Sequence, residues 1–428
     1  MNRFIMVIAL VALSLPAGAG TTAIVNGKIH TVGPMGIIDS GTVLIVDGRI
    51  AAVGPNVAVP EGAETIDASG KIVTPGLFSP YGHLGLVEVS SSAGPVDYSQ
   101  RGKQFTSSFD VADAYNPRST LIPINRIEGV TRAVVAPSPG NPNETGSGHV
   151  IAGLAAIVNL GDDDVLDQRG AAMVVVLGEN GASLSGGTRT GAWLTLRNAL
   201  DEALDYREHK GDFERGMRRE YTHSMKDLDA LQGVINGNTP VIVSIDRASD
   251  IEVLIEFVSE YSINAIINGG SEAWMLADEL AAARIPVIVG PTANLPGNFD
   301  RINARLGAAS ILVAAGVKIA IADSDARTHN ARNMTQSAGN AVAHGLDWNA
   351  ALRAITLAPA EIFGMAATTG SLEPGKAADV VIWPGDPLEL TNYPDAVFIN
   401  GEAVPMESRQ TLLRDRYLQS GKPPAYRD

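Results

Sequence analysis

The stretch TPGLFSPYGHLG, Thr74 to Gly85, decides how this chain is read. An apolar, β-prone lead-in, Lys71-Ile72-Val73, runs into Pro75-Gly76, and a few residues later come Tyr81 and His83. Residues at i and i+2 near the end of a strand point to the same face, so this pair is expected to look into one site. Histidine at both positions would make a good half of a metal site. Here one of the two is a tyrosine.

Upstream of this stretch the sequence reads as short strands: AIVNGKIHTV, GTVLIVDGRIAAVG and ETIDASGKIV. The dipeptides Asn26-Gly27 and Asp47-Gly48 lie between alternating apolar residues, which is a hairpin signal. Near the other end, GSLEPGKAADVVIWPGDP and AVFINGEAV have the same texture. Two all-β pieces at opposite ends of a chain are expected to pair into one small β-sandwich, here residues 20–74 and 366–428, with residues 75–365 as a separate domain.

That middle alternates. Short apolar runs fall at 131–136, 172–177, 240–245, 264–267, 286–289 and 318–322, with helical patterns between several of them. Asp250 is placed to cap a helix whose Val253, Leu254, Phe257, Val258 and Tyr261 form one apolar stripe, and Asp347 is placed to cap WNAALRAIT. Strand-helix alternation of this length predicts an α/β fold with a parallel sheet, open or closed into a barrel. Functional residues then belong just past the C-terminal strand ends.

The bulk numbers agree. A chain of 428 residues that is 45% hydrophobic and only 18% charged has ample material for a large core. A net charge of −15, with no block of Lys or Arg, disfavours nucleic acid and anionic membranes and favours a small-molecule or peptide partner. The first residues carry Arg3, an apolar run from Phe4 to Leu15, and Ala17-Gly18-Ala19. This is the pattern of a cleaved signal peptide, residues 1–19, and the run is too short for a membrane span. Export to a periplasm or beyond is the expectation. With no cysteine, disulfides, thiolate metal sites and a Cys nucleophile are excluded.

TPGLFSPYGHLG after a β-rich start, ALRAITLAPAEIFG, and then GSLEPGKAADVVIW together resemble the amidohydrolase superfamily, with the imidazolonepropionase-like branch as the nearest likeness. The likeness covers about residue 21 to 415. It implies a TIM-like (β/α)8 barrel with a small β-sandwich built from both termini, and hydrolysis of non-peptide C–N bonds. It also implies one or two divalent metals that turn water into hydroxide, taking its pKa from about 15.7 to about 7.

The ligands that the resemblance implies can be sought one at a time. His-x-His on strand 1 is Tyr81-Gly82-His83, and a neutral tyrosine is a poor zinc ligand. His83 is then either a metal ligand or a hydrogen-bonded pocket residue. Strand 4, AAMVVVLGEN, has no lysine; Glu179 stands just past its end as a replacement carboxylate or as part of an ordinary turn. Strand 5, PVIVSIDRASDI, offers Ser244, Asp246 and Arg247, the last a natural salt-bridge partner for Asp246. Strand 6, NAIINGGSEAW, puts Gly269 at the histidine position, with Asn268 and Glu272 beside it. Strand 8, KIAIADSDARTHNARN, gives Asp323 as the match to the catalytic aspartate, with Asp325 an alternative.

The remaining histidines, His30, His149, His209, His223, His329 and His344, show no ligand spacing, although His149 and His329 sit in loops that could reach the barrel mouth. Two expectations follow. In one, the chain is a hydrolase with a reduced site of one divalent ion held by His83, Glu179 or Asp246, and Asp323; such an oxygen-rich set suits manganese better than zinc. In the other it is a non-catalytic barrel. Tyr81, Asp246, Arg247, Asn268, Glu272 and Asp323 then line a pocket for a small amide or amino-acid-like molecule, or dock a partner. Residues 90–117 either fold over the mouth or form a plain surface excursion, and association of barrels into an oligomer stays open.

Overall fold

The computed structural model describes residues 20–418 except 90, 91, 93, 101, 103, 104, 141–147, 218, 219, 294 and 323–328. The chain opens with β1 (Thr21–His30), β2 (Ile37–Val46), β3 (Arg49–Gly54), β4 (Glu64–Asp67) and β5 (Ile72–Pro75). Asp47 and Gly48 both adopt positive φ, 50° and 76°, and close the β2–β3 hairpin as read from sequence.

Asn26-Gly27 does not make a hairpin. It is a bulge inside β1, where the strand changes partner from β4 to β5. A Cβ on Gly27 would lie 2.7 Å from Val73 Cγ2, so the strands close up there only because the residue is glycine.

The barrel follows: β6 (Leu77–Gly82), β7 (Val130–Val135), β8 (Ile151–Asn159), β9 (Leu166–Val176), β10 (Val241–Ile245), β11 (Ala265–Gly269), β12 (Val287–Val289) and β13 (Ile319–Ile321). They form one sheet of eight strands in sequential order, nearly closed, with β13 brought beside β6 at the seam. All pairings are parallel except those of β8, which runs against β7 and β9. Sequence reading passed over this strand. The link from β8 to β9 is a short turn, too short for the helical crossover that a parallel strand needs, so the two pair as a hairpin.

The helix at Ala248–Tyr261 begins before Asp250, which lies in its first turn and not at the cap. Its buried face is Ile251, Leu254 and Phe257, and Val253 is exposed. Asp347 does cap the helix Trp348–Ala354, accepting from the Ala350 N–H at 3.0 Å.

The chain returns to the first sheet with β14 (Val380–Trp383), β15 (Ala396–Ile399) and β16 (Glu402–Ala403). β14 pairs antiparallel with β5, so the two ends of the chain share one sheet with its own apolar core. Polar groups lock this sheet to the barrel. Arg132, on β7 and 4% exposed, donates from Nε to Asp379 Oδ2 at 2.7 Å and from Nη2 to Asn400 Oδ1 at 2.7 Å, and also pairs with Asp167. Its neighbouring carboxylates, working against burial, raise its pKa further above the usual arginine range. Trp383 Nε1 donates to Thr74 Oγ1 at 2.9 Å. The GKAAD motif therefore does structural work: its aspartate is the anchor of a buried cation.

Candidate functional site

Strand alternation decides what faces the barrel axis. Phe78, Val134, Val174, Ile242, Ile266, Ile288 and Ala320 form one buried cluster inside the barrel, while their neighbours Val135, Val175, Val243 and Ile267 pack outward in the larger cluster that includes the helices. Continuing the rows of Val174, Ile242, Ile266 and Ala320 by two residues reaches Val176, Ser244, Asn268 and Ala322. These residues, with Tyr81 and His83, line a cavity of about 410 Å³ at the C-terminal ends of the strands. The core thus fills the lower barrel and stops where side chains become small or polar.

The two residues of the opening stretch do meet in this cavity, with ring centroids 6.0 Å apart. His83 is 5% exposed, and its Nδ1 lies 2.7 Å from the Ala136 carbonyl oxygen. A carbonyl only accepts, so Nδ1 carries the proton and the lone pair of the neutral ring is on Nε2.

Tyr98 stacks on the His83 ring, 4.3 Å between centroids and 19° between planes. Within residues 90–117, Tyr98 therefore reaches the mouth and lines the cavity. Asp227 ties this segment down: its carboxylate accepts from the Thr106 N–H at 2.9 Å, from the Ser108 N–H and Oγ at 2.9 and 2.8 Å, and from Ser224 Oγ at 2.7 Å. Burial alone would raise the Asp227 pKa, but these donors outweigh it and hold it below the usual range.

The expected polar residues separate into two groups. Tyr81, Asn268, Asp246 and Glu179 line the cavity. Asn268 Nδ2 donates to Ser244 Oγ at 3.1 Å, across paired strands. Glu179 has an exposed side chain, and its N–H donates to Asp300 Oδ2 at 2.7 Å.

Arg247 and Glu272 are not among the cavity-lining residues. Glu272 is 3% exposed, and its carboxylate is taken up by the Ala248 N–H at 2.9 Å and by Asn303 N and Nδ2 at 2.9 and 3.1 Å, so it holds two loops together. Arg247 pairs with Asp250 at 2.7 Å, one helical turn on, and not with its neighbour Asp246. Asp246 instead accepts from Ser271 N and Oγ at 3.1 and 2.8 Å and pairs with Arg301 at 3.0 Å. His149 is hydrogen-bonded to the Gly102 carbonyl at 2.5 Å. Asp323 and Asp325 lie outside the described residues, as does the side chain of His329.

Sequence reading missed a second set. Arg189 bridges Asp250, at 3.1 Å, and Asp300, while Arg301 and Asp300 both line the cavity. An ionic lattice thus joins the loops after β9, β10 and β12. These partners are 55 to 111 residues apart in the chain, a relation no local spacing reports.

The donor chemistry can be tested against a dinuclear centre. Among the described residues no group of three His, Asp or Glu side chains converges as a metal ion requires. Among the described residues at the inward strand ends the groups are one imidazole, a phenol, a hydroxyl and an amide. Gly269 sits at φ +97°, and a Cβ there would come within 2.9 Å of Asp246 Oδ1, so this position is shaped for glycine. The described set does not fit two divalent ions held mainly by imidazoles.

A barrel with a mouth at its strand ends and a β domain made from both chain termini is the architecture of one large class of hydrolases. A family model described as "Amidohydrolase family" matches residues 199–404. The chain is 25% identical over 372 residues to the amidohydrolase tasK of Hapsidospora irregularis, covering 81% of this chain; it spans only 37% of that relative's length. The crystal structure of an amidohydrolase from Thermotoga maritima MSB8 superimposes with a TM-score of 0.79 at 25% identity, over 90% of this chain and 99% of that one. Molinate hydrolase shares the fold at 18% identity, with a TM-score of 0.55 and coverage of 96% and 98%. In sequence and in fold, the chain is thus similar to amidohydrolases.

Proposed function

We propose that this is an exported superfamily member whose barrel mouth holds a polar small molecule and does not run the two-metal hydrolysis typical of its relatives. One observation carries the reading: the inward ends of β10 and β11 present Ser244 and Asn268, hydrogen-bonded to each other, with Gly269 beside them at the position where the resemblance puts a histidine. Hydroxyl and amide groups are good hydrogen-bond partners for an amide or amino-acid-like molecule and poor ligands for zinc. The cavity volume is suited to such a molecule. A chain of net charge −15 makes nucleic acid an unfavourable partner, and no helix among the described residues is long and apolar enough to cross a membrane.

A reduced-metal hydrolase is the competing reading. It is favoured by His83, whose Nδ1–H···O=C bond orients the ring as metal-ligating imidazoles are oriented. Against it, both oxygens of Asp246 are already committed, and Glu179 is exposed. The test is ligand-observed NMR with small N-acetyl amino acids and their primary amides, alongside an assay for release of acetate or ammonia. Binding without turnover, lost when Ser244→Phe fills the cavity floor, is the expected result. Turnover that requires added manganese or zinc would overturn the reading in favour of the hydrolase.

A further inference from the structure

We infer that Arg301 is the anchor for a carboxylate group on the molecule bound at the mouth, so that the site selects carboxylate-bearing, amino-acid-like ligands; this rests on the binding reading above. Among the described residues that line the cavity, Arg301 is the one Lys or Arg. Its Nε donates to Asp246 Oδ2 at 3.0 Å, and its two terminal nitrogens make no hydrogen bond with any described residue.

The other arginines at the mouth are already engaged: Arg247 with Asp250, and Arg189 with both Asp250 and Asp300. Asp246 is itself pinned by the Ser271 N–H and Oγ, so the guanidinium is held from one side and aimed, not left to swing.

A planar guanidinium fixed through Nε still offers the Nη1/Nη2 edge, which matches the two oxygens of a carboxylate. The Arg301 side chain as a whole is 34% exposed, so it is neither buried without a partner nor lost in bulk water. The Ser244–Asn268 pair on the cavity floor offers hydrogen bonds to the amide portion of the same molecule. The cationic specificity element is thus supplied by the loop after β12, while the strand ends supply neutral donors and acceptors. Arg247, the arginine nearest Asp246 in the sequence, has no part in it.

The experiment uses the mature full chain and three matched probe pairs: the N-acetyl derivatives of L-alanine, L-leucine and L-phenylalanine as free acids and as primary amides. Titration calorimetry and saturation-transfer NMR read the affinities. At least one acid is expected to bind about ten-fold or more tightly than its amide. Arg301→Gln should erase that preference, Arg301→Lys should keep part of it, and Arg247→Gln should leave it intact; circular dichroism checks that each variant is folded. Acids and amides that bind alike, with both lost in Ser244→Phe, would overturn the anchor and leave the binding reading standing. A preference that survives Arg301→Gln would also overturn the anchor. If neither acids nor amides bind the wild-type chain, the anchor and the binding reading fall together.

Discussion

The junction between the β domain and the barrel differs sharply from the barrel mouth. At the junction, Asp379 from the GKAAD motif meets a nearly buried Arg132, with Asn400, Asp167 and Thr369 completing its shell. At the mouth, the described strand ends present Tyr81, Ser244, Asn268 and Gly269 to the cavity. The motifs that make the family recognisable are therefore joinery. They report how the chain is assembled and leave open what happens at the strand ends, where function has to be argued from the side chains present.

The largest effect is expected at the junction. Asp379→Ala leaves the Arg132 guanidinium buried with one of its two carboxylate partners, and removing one side of a buried ion pair costs roughly 3–5 kcal/mol. Urea unfolding should show this as a large fall in the midpoint. A loss comparable to that of a surface substitution would break the contrast between the two regions.

Next comes Asp227→Ala, which removes the acceptor of three hydrogen bonds that hold residues 106–108, and of a fourth from Ser224 at the start of its own helix. About 2 kcal/mol of local stability is expected, since hydrogen bonds to charged groups are worth more than neutral ones. Limited proteolysis should report it as faster cleavage near residues 105–108, with the rest of the chain intact. Because its folded pKa is lowered, Asp227 stabilises the fold above its unfolded pKa, and that contribution is lost as pH falls through the folded value.

Gly269→His sharpens the comparison from the other side. If the mouth had merely lost a ligand, restoring it should restore metal affinity. The positive φ and the contact with Asp246 predict instead a destabilisation of roughly 1–3 kcal/mol and no gain in metal binding. Tighter zinc binding by this variant would show that the mouth is a dormant metal site.

The smallest effect concerns His30, buried at the inner edge of the β domain and tilted against Trp348, with ring centroids 4.8 Å apart. Burial is the main cause of its lowered pKa, followed by Lys28, with Asp386 opposing. A histidine with a depressed folded pKa binds fewer protons folded than unfolded. Stability is therefore full above the ordinary value of 6.5 and declines as pH falls below it toward the folded value. Thermal unfolding from pH 7.5 to 5.5 should show a slope that shrinks in His30→Phe.

The same contrast explains what could be read from the sequence. Strand-helix alternation and the paired β termini were legible because apolar periodicity and hairpin dipeptides are local signals; Tyr81 and His83 both line the cavity, although His83 lies one residue past β6 and the β6–β7 register breaks between Ser79 and Gly82. Asn26-Gly27 misled because a bulge and a hairpin draw on the same left-handed residue preference, and only the switch of β1 from β4 to β5 distinguishes them. The reversed strand β8 was hidden in IAGLAAIVN, whose glycine and alanines weaken a strand signal. The sequence points to Arg247 beside Asp246 and is silent on Arg301, because proximity in sequence is visible and proximity across loops is not. The helical turn that begins at Ala248 gives Arg247 to Asp250, and Asp246 takes Arg301 from the loop after β12.

The most direct test of the central claim is the metal content of the purified mature protein after exposure to zinc, manganese and iron, followed by gel filtration and elemental analysis. The account predicts well under one ion of any metal per chain, in a protein that is fully folded and still binds small amino-acid derivatives at the mouth. One or two ions per chain, lost on His83→Ala, would contradict it and return the barrel to the metal-dependent hydrolases.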